Sequence, residues 1–163
     1  METKPIKRSK HILQLSKDHH FSLLFCWKIR QGLKNEIEAG RINKYVQFFW
    51  ENDMEEHFRE EEEILFAPLQ DEKVQKAVSD HRQIKSVVEK LQSTSAVFEM
   101  NKLLSEIANI VEAHVRFEER DLFPHLEKHL SDAQLEEIGE HLKGHAPGDD
   151  YGEKQVARQL GEP

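Results

Sequence analysis

Two segments of the chain are versions of one another. HFREEEEILFAP at 57–68 matches HVRFEERDLFP at 114–124, and each opens with a histidine followed four residues later by a glutamate: His57 with Glu61, His114 with Glu118. Upstream of each stands an Asp-His pair, Asp18-His19 and Asp80-His81. The repeating unit is a helix with one histidine, then a helix with His-x-x-x-Glu. Two such units predict a bundle with internal pseudo-two-fold symmetry. Residues four apart share a helix face, and the constraint lies in where that face points. One stripe runs Val46, Trp50, Met54, His57, Glu61, Leu65; another runs Val74, Ala77, His81, Ile84, Val88, Leu91; a third runs Leu104, Ile107, Val111, His114, Glu118, Leu122. Ionisable residues thus occupy positions that the helical period assigns to the core. An unpaired buried carboxylate costs several kcal/mol, so a repeated error of this kind is improbable. A shared cation removes the difficulty.

Apolar spacing of three and four predicts helices over 12–39 (closed by Gly40), 42–67, 72–92 and 96 to about 128. Ser131, three residues before Gln134, reads as a capping box opening a short helix to about Lys143. No period-2 pattern appears, so the class is all-α. Short connections make antiparallel neighbours, which predicts an up-down-up-down four-helix bundle with a short C-terminal fifth helix. The 163 residues suit one domain. It divides into a basic N-terminal tail (1–10, with Lys4, Lys7, Arg8 and Lys10), the bundle (11–143) and a C-terminal tail (144–163).

The formal net charge is −8, and basic residues do not gather beyond that short cluster, which argues against a nucleic-acid surface. No apolar run is long enough for a membrane span, and the start METKPIKRSK lacks the apolar stretch of a secretory signal. The one cysteine, Cys26, cannot pair internally and points to a reducing compartment. A cytoplasmic location is expected.

At about 1.5 Å of rise per residue, His19, His57 and Glu61 fall about 10–16 Å from the same end of the bundle. His81, His114 and Glu118 fall at a similar level. Four imidazoles with two carboxylates suit a first-row transition metal rather than calcium or magnesium. Two carboxylates facing across a core are also suited to bridging two ions. Beside His19, His20 also lies on a partly apolar stripe, with Leu13, Leu24 and Trp27. The repeat favours His19, because Asp18-His19 aligns with Asp80-His81 and Arg82 follows; His20 stands as the substitute. Glu62 and Glu119 are candidates to accept the second N–H of a ligating ring. Glu60 and Glu63 read as solvated charge. Phe58, Phe66, Phe117 and Phe123 are expected to pack around the site and Cys26 to be a core thiol. His11, His125, His129, His141 and His145 are read as surface. The Glu-x-x-His motif of ferritin-like bundles is absent, since Met54, Val78 and Val111 stand three before His57, His81 and His114.

The doubled H-x-x-x-E-E signature, over roughly residues 11–130, resembles the hemerythrin-like (HHE cation-binding) proteins. The resemblance implies a pair of iron ions held by His19, His57, Glu61, His81, His114 and Glu118. It also implies a non-haem di-iron protein that binds or senses oxygen, or a related small oxidant such as nitric oxide. Six protein ligands cannot fill two octahedral ions, so open positions are expected. Oxygen-carrying members have a second histidine four residues after the one on the third helix, where this chain has Lys85, and that departure weighs against reversible carriage. Iron handling (storage, sensing or iron–sulfur repair), an oxygen- or peroxide-activating enzyme and a metal-free helical interaction module are the alternatives. A sensor would act through a separate protein partner.

Overall fold

The computed structural model describes residues 8–143. The apolar stripes become α1 (Leu13–Lys34), α2 (Ala39–Phe49), α3 (Glu55–Glu60), α4 (Glu72–Ser93), α5 (Val97–Phe117), α6 (Phe123–His129) and α7 (Asp132–Lys143). Wide π-helical turns at Trp50–Met54 and Glu61–Leu65 join and extend α2 and α3, and a third at Glu118–Leu122 joins α5 to α6. Four long rods result, over 13–34, 39–65, 72–93 and 97–129, and no strand occurs among the described residues.

The first helix ends earlier than expected. It stops at Lys34 rather than running to Gly40, because the backbone bends at Glu36, whose φ is 56°. The Asn35 and Ile37 N–H groups donate back to the carbonyls of Gln31 and Gly32, both at 2.9 Å. Gly40 lies inside α2. Gly32 has a different use: a Cβ there would sit 3.0 Å from Ile42 Cδ1, so its small size lets the start of α2 close on α1.

α1 packs against α2 and α5, and α4 against α2 and α5, so the rods enclose a common interior. That interior holds two apolar clusters. One contains Phe25, Ile29, Tyr45, Val46, Phe49, Ile84, Leu91, Leu104, Ile107 and Val111. The other contains Ile12, Leu15, Leu65, Phe66, Val74, Ala77, Leu122, Phe123 and Leu126. Every rod contributes to both clusters, and between its two contributions lies a buried polar residue: His19, His57 with Glu61, His81, or His114 with Glu118. Sequence order along each rod therefore places these six in a layer between two greasy blocks.

α7 closes the second cluster with Leu135, Ile138 and Leu142. Its start is the expected capping box: Ser131 Oγ accepts from the Gln134 N–H at 3.1 Å, and Gln134 Oε1 accepts from the Ser131 N–H at 2.9 Å. Asp71 caps α4 by accepting from the Val74 N–H at 3.1 Å. The expected basic tail is not loose where it is described, for the Arg8 side chain is 4% exposed and packed on the bundle. Residues 1–7 and the C-terminal tail (144–163, with His145) lie outside the described residues.

Candidate metal centre

Glu61 and Glu118 each open a π-helical turn. The Phe66 N–H reaches past the usual partner to the Glu61 carbonyl at 2.8 Å, and the Phe123 N–H does the same to Glu118. Such turns insert one residue into a helix and recur at functional sites. Here the residue closing each turn is a phenylalanine that points inward and covers a histidine. Phe66 stacks towards His81 with centroids 6.3 Å apart, and Phe123 towards His19 at 5.2 Å. The two matching segments in the sequence thus share a backbone irregularity as well as residues.

All six expected side chains come together. Glu61 and Glu118 are 0% exposed, and the four histidines are nearly as buried. His57 Nε2 lies 3.4 Å and His81 Nε2 3.1 Å from Glu61 Oε1. His114 Nε2 lies 3.2 Å and His19 Nε2 2.8 Å from Glu118 Oε1. The longer approaches cross over, with His19 to Glu61 and His81 to Glu118 both at 3.9 Å. Each carboxylate therefore faces histidines from both halves of the chain.

The outward ring nitrogens are all engaged. Nδ1 of His19 donates to Glu119 at 2.6 Å, that of His57 to Asp18 at 3.1 Å, that of His81 to Glu62 at 2.8 Å and that of His114 to Asp80 at 3.0 Å. Every imidazole is thereby fixed in orientation with Nε2 turned to the centre, the arrangement by which proteins aim a metal-ligating histidine. Glu62 and Glu119 act as the sequence suggested. Asp18 and Asp80 were missed as partners: each grips the histidine of the following rod rather than its own neighbour. Their recurrence before His19 and His81 was the available signal.

His19 Nε2 is hydrogen-bonded to Glu118 Oε1 at 2.8 Å, but the other inward atoms are in the opposite condition. His57 Nε2, His81 Nε2, His114 Nε2, Glu118 Oε2 and both Glu61 carboxylate oxygens are buried without a hydrogen bond, despite the short distances. Burial would pull His57 and His114 down, but the facing glutamates and their aspartate partners outweigh it. His57 is held well above its ordinary value and His114 is pushed up to about 10. Burial would likewise push Glu118 up, yet His114 and His19 hold it well below the usual carboxylate range. The pocket draws in positive charge, and a metal cation can take the place of those protons. Two overlapping groups have donor atoms within 4.8 Å of one another: His19, His57, Glu61 and Glu118, and Glu61, His81, His114 and Glu118. Both groups use both carboxylates. The residues fit a metal.

Other expectations fall differently. His20 is exposed beside Phe21, outside the cluster. Glu63 is exposed, but Glu60 is buried, correcting its reading as solvated charge; burial and then Asp18 push its carboxyl up to about 7. Phe58 stacks on His81, whereas Phe117 is only half-buried, under the Lys76 ammonium. His125 is not a free surface residue, since it is held by Asp71 at 2.5 Å; His129 and His141 are exposed and His11 is half-buried. Cys26 is buried, which raises its thiol to about 12 and keeps it neutral. Lys85 is exposed on the rim of a cleft that reaches His81.

A helical bundle with a buried imidazole–carboxylate cluster that could hold metal defines a class of metal-binding helical domains. Within that class the chain belongs to a particular family: the model of the hemerythrin HHE cation-binding domain matches residues 12–126. Comparison with curated proteins and with solved structures gave no match. No helix among the described residues is long and apolar enough to cross a membrane.

Proposed function

We propose that this chain is a non-haem di-iron protein that binds or senses oxygen, or a related small oxidant such as nitric oxide. The two irons would be held by His19, His57, Glu61, His81, His114 and Glu118. The observation that carries the reading is that three of the four inward Nε2 atoms and three of the four carboxylate oxygens lack hydrogen bonds while every outward Nδ1 is satisfied. A polar network of that shape is costly unless a cation completes it. Glu61 and Glu118 belong to both four-residue groups, so both carboxylates would help to hold each of two ions. The shared π-helical turns support a pseudo-two-fold, up-down-up-down bundle as the frame.

Iron bound here supplies one-electron chemistry towards a small oxidant. The protein's own groups set its conditions. Asp18, Glu62, Asp80 and Glu119 hold the rings in one orientation. Phe58, Phe66 and Phe123 cover His81 and His19 and keep water from the layer. Lys85 offers no imidazole, so one ion has fewer protein donors than in the oxygen carriers, which favours oxidation over reversible release. A separate protein would receive any signal.

Anaerobic loading with ferrous iron, followed by elemental analysis, tests the reading, with two ions per chain as the expected result. Admission of oxygen should then raise near-ultraviolet charge-transfer absorption. A reproducible content of zero or one would overturn the di-iron reading.

A further inference from the structure

His125 and His129 stand four residues apart on α6 and so share one face of that helix. Their ring centroids are 4.4 Å apart, with the planes tilted by 55°. His125 is half-buried and His129 is exposed. His125 follows Glu118 by seven residues, about 10 Å of helical rise, and neither ring belongs to the central six.

Asp71 fixes the first of these rings. Its Oδ2 accepts from the His125 Nε2–H at 2.5 Å, while its Oδ1 accepts from the Val74 N–H at 3.1 Å as the cap of α4. With the proton on Nε2, the lone pair of His125 lies on Nδ1. The four central histidines show the same pattern with the two nitrogens exchanged: a carboxylate holds one and leaves the other open, which is how a ligating ring is aimed. Among the described residues, Nδ1 of His125 and both nitrogens of His129 have no hydrogen bond or ion pair. The ligand atoms of Asp71, His125 and His129 are not all within 4.8 Å of one another, so the carboxylate backs His125 from outside the space between the rings.

The spacing of the rings matches a single ion between them. An imidazole bound at about 2.0 Å puts its centroid about 3.2 Å from the metal, so two such rings stand about 4.5 Å apart at a right angle and about 5.2 Å apart at a tetrahedral one. The observed 4.4 Å belongs to the first case. Right-angled nitrogen donors are the preference of tetragonal copper(II) or nickel(II). We propose that His125 and His129 form a second metal site, on α6, for a tetragonal late transition ion, with Asp71 as the carboxylate behind His125. Two protein donors leave the remaining positions to water, so the ion exchanges with solvent. Copper(II), at the top of the affinity order, is its tightest occupant. The site stands independently of what the central cluster holds.

Copper(II) titration of the full chain, followed by electron paramagnetic resonance, tests the site. His129→Ala removes an exposed side chain and should lose one copper equivalent per chain. The difference spectrum between wild type and this variant isolates the site whatever the centre binds, and it should carry coupling to two imidazole nitrogens. Asp71→Asn keeps a good capping residue on α4 but removes the acceptor behind His125. It should weaken this copper by about 10–100-fold with the stoichiometry unchanged. His141→Ala, at an exposed histidine of α7 beside Glu137, should leave copper binding as it is in the wild type. Wild-type stoichiometry in His129→Ala, or a difference spectrum with a single nitrogen, would overturn the site. Copper held as tightly by Asp71→Asn as by the wild type would overturn the part given to Asp71.

Discussion

The Phe58 ring lies flat on the His81 imidazole, with centroids 3.8 Å apart and planes 11° apart. No aromatic residue does this for His19 from the matching position, where Val115 follows His114. Phe58 also meets Trp50 edge-on at 5.8 Å, His114 at 5.6 Å and His57 at 6.1 Å, so one ring joins the apolar core to three histidines. Phe58→Ala should cost about 3–5 kcal/mol, the usual loss for a buried phenylalanine. Denaturant unfolding of the metal-free protein measures it, and a loss within about 0.5 kcal/mol of zero, the size of a surface change, would show that the ring is not part of the core.

His19 and His20 are neighbours with opposite surroundings, one buried against Glu118 and one exposed. His19→Ala should lower metal content, while His20→Ala should leave it at the wild-type level. Elemental analysis after loading decides. The reverse pattern would place α1 in a different rotation.

Asp80→Asn removes the carboxylate that accepts from His114 Nδ1. Partners of this kind are commonly worth about 10–100-fold in metal affinity. Competition with a coloured chelator should show a drop of that size for Asp80→Asn and for Asp18→Asn. Glu63→Gln, on the exposed side of the same acidic run, should show none.

The pH dependence of stability should change sign with metal. In protein freed of metal, His57 and His114 are raised, so the stability they contribute is complete below about pH 6.5. It is lost as pH climbs through their folded values, about 10 for His114. The depressed Glu118 acts at the other end: its contribution is present above about pH 4.5 and fades as acid nears its folded value. Metal-free protein should therefore weaken from neutral to alkaline pH. Ligation needs neutral imidazole, so loaded protein should strengthen from acid to neutral pH. Thermal melts with and without metal give both slopes, and identical slopes would separate these histidines from the metal.

Ser131→Ala should cost about 1 kcal/mol, the usual value for a lost N-cap. The capping box there is reciprocal, but the residue is exposed and distant from the centre. Metal content should not change, which separates helix stability from the site.

The six central residues were legible because each breaks the apolar stripe on which it sits, and a buried charge has few physical explanations. The His-x-x-x-Glu spacing added the shared face. The π-helical turns were not legible, because a hydrogen bond from Phe66 to Glu61 leaves no pattern in residue type; it arises from how the rods settle around the polar layer. The end of α1 was misjudged because glycine is the usual sign of a stop, whereas here Glu36 takes the positive φ and Gly40 enters the next helix. Glu60 sits in a run of four glutamates and reads as solvent-facing. Only the packing of α1 across it, with Asp18 and Ser22, makes it buried. Gln134 behind Ser131 was readable in full, since a capping box is local chemistry.

Arg8 reaches Glu127 at 2.6 Å, Ser16 at 3.1 Å and the Glu119 carbonyl at 2.9 Å, and it pairs with the Glu119 carboxylate at 3.3 Å. Glu119 in turn holds His19. The segment leading into α1 is therefore a strap, buckled onto the carboxylate that aims one of the four rings. Clipping the chain just beyond Arg8, or fusing a tag that pulls this arginine away, would remove a positive charge from beside Glu119. The basicity of His19 would change with no substitution at the centre, so trimming that end alters the tuning of the site.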